Sequence, residues 1–286
     1  MKKILVTGAN GQLGQCLQKI SSQFEEFEFI FTDSETLDIT NKEEVNDFFW
    51  QNAPDFCINA AAYTAVDLAE TDVEKAFLVN ADGAENLAEA CSENNAQFIH
   101  VSTDYVFDGE NNLAYTEEDF TNPLGVYGAS KLAGDELALE VNPCSVILRT
   151  SWVYSEFGKN FVKTMLNLFA TKEELNIVAD QFGQPTNAND LAEAIMKIIK
   201  SEKITPGIFN FSNLGRISWF DFAEKIAELS EAKIKLNAIE TSQYPTPAKR
   251  PKNSVLDLDK ISKTYAIQLK PWEESLEGCV QILQNN

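Results

Sequence analysis

Short apolar runs alternate with amphipathic stretches through the first two thirds of the chain. The runs Lys3–Thr7, Glu28–Thr32, Phe56–Asn59, Phe98–Ser102 and Ser145–Thr150 have the length and composition of strands. Between them lie Gln12–Ser22, Lys42–Gln51, Val73–Asn94 and Val126–Val141, which read as helices. Leu13, Leu17 and Ile20 recur at helical spacing in the first, and Ala76, Phe77, Leu87, Ala90 and Cys91 do so in the third. Strands and helices alternating at this spacing predict βαβ units and a doubly wound parallel sheet of the α/β class. After Thr150 the rhythm loosens. Helices are expected over 160–171, 189–200, 218–229 and 273–284, with a strand over 207–211 and a proline-rich loop over 241–253.

Composition narrows the function classes. The chain of 286 residues is 44% hydrophobic, which suits a packed globular protein. No apolar run approaches the ~18 residues needed to span a bilayer. The first apolar stretch stops at Thr7 and Gly8, so it reads as a strand entering a loop rather than a signal peptide. A cytoplasmic protein with no membrane partner is expected. Five scattered cysteines without a close pair fit buried, reduced thiols. The formal charge of −21 opposes nucleic acid as a partner, since phosphate neutralisation needs a basic face. A nucleotide ligand is still compatible, because a helix N-terminus and one or two cations can hold a diphosphate. The single histidine, His100, lies inside a predicted strand and reads as structural, which rules out a multi-histidine metal site or a histidine triad.

The first strand runs into Gly8-Ala9-Asn10-Gly11-Gln12-Leu13-Gly14, which opens a helix. Such a loop needs one glycine for the tight turn, one for backbone approach to a diphosphate and one for close helix packing. Asp33 follows the last glycine by 33 − 14 = 19 positions, close to the roughly 20 expected for an acid that binds the adenosine ribose. A carboxylate there favours NADH and opposes the 2′-phosphate of NADPH, although use of both stays open. Asp38 and Ile39 can flank the adenine, and Ala60, Ala61 and Ala62 leave room for the cofactor beyond the third strand. A Rossmann-type dinucleotide-binding domain is expected over residues 1–155, with segments near 187–212 returning to it. Residues 156–286 are expected to form mainly a smaller substrate-binding lobe.

Tyr127 and Lys131 stand four apart, on one face of a helix. An ammonium beside a phenol favours the phenolate, so Lys131 is expected to lower the Tyr127 pKa and to hold the nicotinamide ribose. Thr103 closes the fourth strand, where sites in open α/β sheets lie, and can hydrogen-bond a substrate carbonyl. These features in this order resemble the extended short-chain dehydrogenase/reductase family. Thr103, Tyr127 and Lys131 match its Ser/Thr-Tyr-Lys triad.

Longer stretches resemble the dTDP-4-dehydrorhamnose reductase branch. They are 59–67 (NAAAYTAVD), 102–109 (STDYVFDG), 149–154 (RTSWVY), 158–161 (GKNF), 180–186 (DQFGQPT) and 250–254 (RPKNS). The resemblance implies reduction of dTDP-4-dehydro-β-L-rhamnose to dTDP-β-L-rhamnose with NADPH or NADH. It places Thr64, Val66 and Trp152 in the sugar pocket with Thr103, Asp104 and Tyr127, and Arg250 at the diphosphate or nucleotide. Core packing is the alternative for Trp152, an exposed loop cation for Arg250 and a loop anchor for Asp104. Tyr105 follows Asp104 where related 4,6-dehydratases carry Asp-Glu, which disfavours dehydration. Some members form magnesium-linked dimers through glutamates. Cys16 and Asp190 stand at the matching positions, and a thiol is a poor magnesium ligand. No metal and a monomer or weak homodimer are expected. Two alternatives remain: an epimerase of the same family, and a non-catalytic regulatory subunit of methionine adenosyltransferase.

Overall fold

The computed structural model describes residues 1–285. In chain order its first part contains β1 (Lys2–Thr7), α1 (Gln12–Ser21), β2 (Phe27–Phe31), α2 (Lys42–Asn52) and β3 (Phe56–Asn59). Then come α3 (Val66–Ala69), α4 (Val73–Phe77), α5 (Gly83–Glu93), β4 (Gln97–Thr103), α6 (Val126–Val141) and β5 (Val146–Thr150). Six parallel strands form the central sheet in the order β2-β1-β3-β4-β5, with Gly207–Asn210 completing it beside β5. The order reverses at β1, so the crevice between the ends of β1 and β3 is the switch point where such sheets bind ligands.

Successive strand residues point to opposite faces, and both faces are buried. Ile4, Val6, Ile58 and Leu148 pack with Leu13 and Leu17 of α1 and with Leu191 and Ile195 of the helix Ala188–Ile199. Leu5, Cys57, Phe98 and Ile147 pack on the other side with Phe49 of α2, Leu87 of α5 and Ala138 of α6. Each large apolar side chain enclosed this way contributes roughly 1.5–3 kcal/mol. Asn41 caps α2 by accepting from the Glu44 backbone N–H.

The long helix expected over 73–94 is instead interrupted by a π turn at Leu78–Asp82. Extra backbone there turns Asn80 inward, where its amide both accepts from Tyr63 N (2.8 Å) and donates to Tyr63 O (3.0 Å). Gly134 of α6 lies against this turn, and a Cβ there would meet Asn80 O at 2.0 Å.

A smaller cluster gathers Tyr154 of the short strand Val153–Tyr154 with Met165, Phe222, Trp272 and Leu276 from the helices Phe161–Phe169, Trp219–Leu229 and Trp272–Gln284. Beside it, Glu174–Val178 pairs in parallel with Lys235–Ile239, strands that the sequence pattern did not predict. Leu175 and Ile177 do alternate with Glu174 and Asn176 and pack on the smaller cluster, but each run is only five residues long and stands outside the regular strand-helix rhythm. Gln12 ties the two clusters together, with Nε2 donating to Val153 O and Oε1 accepting from Ser155 and Asn160. No helix among the described residues is long and apolar enough to cross a membrane.

Candidate functional site

Gly8 turns the chain at φ +68°, and a Cβ there would lie 2.6 Å from Ala61 N and 2.7 Å from the Ala60 carbonyl. Only glycine lets this loop cross so close to the segment leaving β3. A Cβ on Gly14 would strike Gly8 O at 2.4 Å, so α1 is seated directly on the loop it begins from. The result is a cleft of about 370 Å³ at the switch point. Gly8, Asn10, Gly11, Asp33, Asp38, Ile39 and Ala60–Ala62 all line it.

Across the cleft Asn10 donates to Asp33 Oδ2 at 2.6 Å. The other Asp33 oxygen accepts from Thr36 Oγ1 and from the backbone N–H groups of Glu35 and Thr36. The Thr36 hydroxyl, these N–H groups and Asn10 hold the Asp33 carboxyl below the usual range. Glu35 joins Asp33 and Asp38 on the lining, and no lysine or arginine is among the described lining residues. Gln12, Leu13 and Gly14 do not line this cleft. Gln12 is spent on the bonds to Val153, Ser155 and Asn160, and Leu13 is buried in the core. Val79, brought in by the π turn, lines the cleft without a signal in the sequence.

Thr103 ends β4, and its hydroxyl donates to Asp104 Oδ1 (3.1 Å) while accepting from Tyr105 N (3.2 Å). Tyr127 stands on the first turn of α6, close enough to Thr103 for the threonine side chain to act on its phenol. Gly128 permits this approach, because a Cβ there would lie 2.2 Å from Tyr105 O. The Tyr105 and Tyr127 rings meet edge to face at 5.6 Å. Loss of hydration pushes the Tyr127 phenol up to about 12 and Asp104 up to about 6, with the Thr103 hydroxyl and the nearby Ser254 side chain opposing the latter.

Lys131 departs from expectation. Its Nζ lies 2.7 Å from Val101 O and 3.0 Å from His100 Nε2, inside the protein, where burial pushes the ammonium down to about 8. It therefore does not lower the Tyr127 phenol in this structure, and desolvation decides that group's acidity. His100 is fully buried between Lys131 and Asn59.

The sugar-side residues are spread over a wider surface. Thr64 is exposed and Val66 begins α3. Arg250 does not project free: both outer nitrogens bind Asp67, and Nη1 also donates to Ala248 O. Trp152 adopts φ +46° and stacks on Trp219 at 3.5 Å, over Gly183. Asn80 was missed by sequence reasoning. Besides holding Tyr63 it donates to Ser130 Oγ, fixing the 60–64 segment against α6. Its only trace in the sequence is an amide directly after the apolar run Phe77-Leu78-Val79.

Among the described residues no cluster of three His, Cys, Asp or Glu side chains could hold a metal ion. Cys16 is buried, with its thiol raised to about 12 by desolvation. Asp190 is engaged by Lys270, Asn213 and Ser275.

A dTDP-4-dehydrorhamnose reductase of Aggregatibacter actinomycetemcomitans is 45% identical over 97% of this chain and 98% of its own. The crystal structure of a dTDP-4-dehydrorhamnose reductase from Clostridium acetobutylicum is 43% identical, with a TM-score of 0.94 over 99% of each chain. That of the Bacillus anthracis dTDP-4-dehydrorhamnose reductase, in complex with NADP, is 39% identical, with a TM-score of 0.95 over 99% of this chain and 100% of that one. The family model described as the RmlD substrate binding domain matches residues 1–285, and the chain belongs to that family.

Proposed function

We propose that this chain is an oxidoreductase that reduces the 4-keto group of dTDP-4-dehydro-β-L-rhamnose to give dTDP-β-L-rhamnose, using NADPH or NADH. The observation that carries the reading is the contact of Thr103 with Tyr127 at the end of β4, on the sheet edge that also bears the glycine-loop cleft. Its relatives at 45% and 43% identity carry the reductase name, and the Bacillus anthracis relative was solved with NADP.

The cleft fits a dinucleotide by its own construction: Gly8 lets the loop pass close against Ala60 and Ala61, and Asn10 and Asp33 present polar groups on its lining. Gly8, Gly11 and the N-terminus of α1 would hold the diphosphate, and Asp33 the adenosine ribose. The nicotinamide, when bound, supplies the hydride. Tyr127 enters with its proton in place, since a phenol at about 12 is neutral at working pH. It can therefore give that proton to the alkoxide oxygen as it forms. Thr103 hydrogen-bonds the same oxygen and orients the carbonyl. Lys131 stands one helical turn along α6 from Tyr127, and to hold the nicotinamide ribose its Nζ would have to leave His100 and Val101 O. We assign residues 1–155 with the 187–212 segments to the dinucleotide and 156–286 mainly to the sugar. Thr64, Val66 and Trp152 are read as sugar-pocket residues, with Arg250 shaping the wall beside them. We read the working form as a cytoplasmic monomer or weak homodimer without a structural metal, since Asp190 is already ion-paired and Cys16 is an inert thiol.

The test is direct. Purified protein is mixed with enzymatically prepared dTDP-4-dehydro-L-rhamnose, and oxidation of NADH and NADPH is followed separately. Stoichiometric oxidation that collapses in Tyr127→Phe supports the reading. Folded protein that binds dinucleotide but oxidises neither cofactor refutes it.

A further inference from the structure

Below the Thr103–Tyr127 pair lies a buried polar network in which the hydrogen positions can be deduced. Asn59 Oδ1 accepts from the Ala61 backbone N–H at 3.1 Å and from the Thr7 hydroxyl at 2.7 Å. A backbone N–H only donates, so this oxygen cannot exchange places with Nδ2. Nδ2 then faces His100 Nδ1 at 3.0 Å, and Nδ1 must present its lone pair. Full burial holds the imidazole well below its ordinary pKa, so the ring is neutral and its one proton lies on Nε2. The Phe98 ring stacks on the imidazole, with centroids 5.9 Å apart.

Nε2–H points at Lys131 Nζ, 3.0 Å away, which also lies 2.7 Å from Val101 O. An ammonium has three donors and no acceptor, so it would oppose one N–H to another. An amine fits, accepting from His100 with its lone pair and donating to Val101 O. Desolvation brings this state within reach by pushing the ammonium down to about 8, so the amine prevails above that pH and the ammonium below it. One further group faces the ring: Asp135 Oδ1 on α6, 3.8 Å from Nε2, is buried without a hydrogen-bond partner. Its companion Oδ2 accepts from Ser102 Oγ and Arg149 Nε. The groups facing the imidazole are thus Asn59 from β3, and Lys131 and Asp135 from α6, with Arg149 of β5 acting through Asp135.

We propose that His100 is a positioning residue that favours the amine form of Lys131 by donating Nε2–H to Nζ, and that protonation of Lys131 releases this N–H to the unpartnered Oδ1 of Asp135. The added proton comes from water, and only hydrogen bonds exchange. This deepens the reductase reading and rests on it for its consequence, a switchable charge one helical turn from the proton donor Tyr127.

His100 is the only histidine of the chain, so ¹⁵N-histidine NMR of the full-length protein gives one imidazole without assignment. The expected spectrum is a neutral Nε2–H tautomer, unchanged between pH 6 and 8. Lys131 is followed by ¹³Cε-lysine NMR, identified by its loss in Lys131→Met. In His100→Gln the carboxamide can turn its oxygen to Nζ, and the lysine titration should rise by roughly one pH unit, with any inflection in kcat/KM moving alongside. An Nδ1–H or doubly protonated ring at pH 7 overturns the proposal, as does a Lys131 titration unmoved in folded His100→Gln. If that variant does not fold, the wild-type tautomer decides. If the reductase assay is silent, both NMR titrations still decide this proposal while the functional reading fails separately.

Discussion

The guanidinium of Arg250 closes on the carboxylate of Asp67 through two bonds, Nη1 to Oδ1 at 2.6 Å and Nη2 to Oδ2 at 2.7 Å. Asp67 Oδ1 also accepts from Ala248 N, so the pair clamps the late loop onto α3, beside Thr64 and Val66. Asp67 is well exposed, so the contact adds little to global stability and acts mainly on where the loop sits. Arg250→Lys keeps the charge and loses the fork. The expected result is a KM for the dTDP-sugar raised about tenfold, a cost of about 1.4 kcal/mol, with kcat nearly unchanged. A steady-state assay of the two constants checks this. An unchanged KM would remove the loop from the substrate's path.

Tyr127 is the residue on which the proposed proton transfer depends. With its phenol at about 12, the group is a proton donor throughout the neutral range and not a phenolate. Tyr127→Phe leaves the ring and its edge-to-face contact with Tyr105 in place while deleting the hydroxyl. We expect kcat to fall by about 10²–10⁴-fold, the usual contribution of a positioned acid. Dinucleotide affinity, measured by calorimetry, should stay within about twofold, equivalent to ~0.4 kcal/mol. A large loss of cofactor binding would instead mark the hydroxyl as part of the cofactor cradle.

Asp33 offers a test of cofactor choice. Its carboxyl stays ionised, held by Thr36, Glu35 N and Asn10, and Glu35 and Asp38 add negative charge to the same lining. A 2′-phosphate would enter this field without a compensating cation. Asp33→Ser removes one charge and should raise the kcat/KM ratio of NADPH to NADH by roughly tenfold. Separate rate measurements with the two cofactors read the ratio. A ratio that does not move would place the 2′ position away from Asp33.

What the sequence made legible was whatever backbone geometry demands of a residue type. The doubly wound order followed from alternating apolar runs, and Gly8 and Gly14 sit where a Cβ would strike the chain. The contacts that tune the candidate site left no such pattern. Lys131 was expected beside the Tyr127 phenol because helical spacing fixes only a shared face. Where the long side chain ends depends on Val101 and His100 across the sheet. Asn80 was hidden inside a stretch read as one helix, since nothing in apolar spacing announces a π turn. Glu174–Val178 and Lys235–Ile239 pair with each other away from the central sheet, and alternating runs of five residues are too brief to stand out once the regular rhythm has ended at Thr150.

Asp104 carries a prediction about stability and pH. It is nearly inaccessible, and desolvation raises its carboxyl from an unfolded value of 3.8 to about 6. A carboxyl raised by folding binds its proton more tightly in the native state, so its contribution is fully present below 3.8 and is lost as pH rises through about 6. At pH 7.5 the ionised group therefore destabilises the fold. The linkage relation gives an upper bound of about 3 kcal/mol, at 1.36 kcal/mol per unit. Asp104→Asn keeps an acceptor for the Thr103 hydroxyl and removes the charge. Urea unfolding should show the variant more stable than the natural chain at pH 7.5 by about 1–3 kcal/mol. The advantage should shrink steadily towards pH 4, where the natural carboxyl is protonated as well. A variant less stable at pH 7.5 would mean that the ionised Asp104 is worth more to the Thr103 and Ser254 hydroxyls than its burial costs.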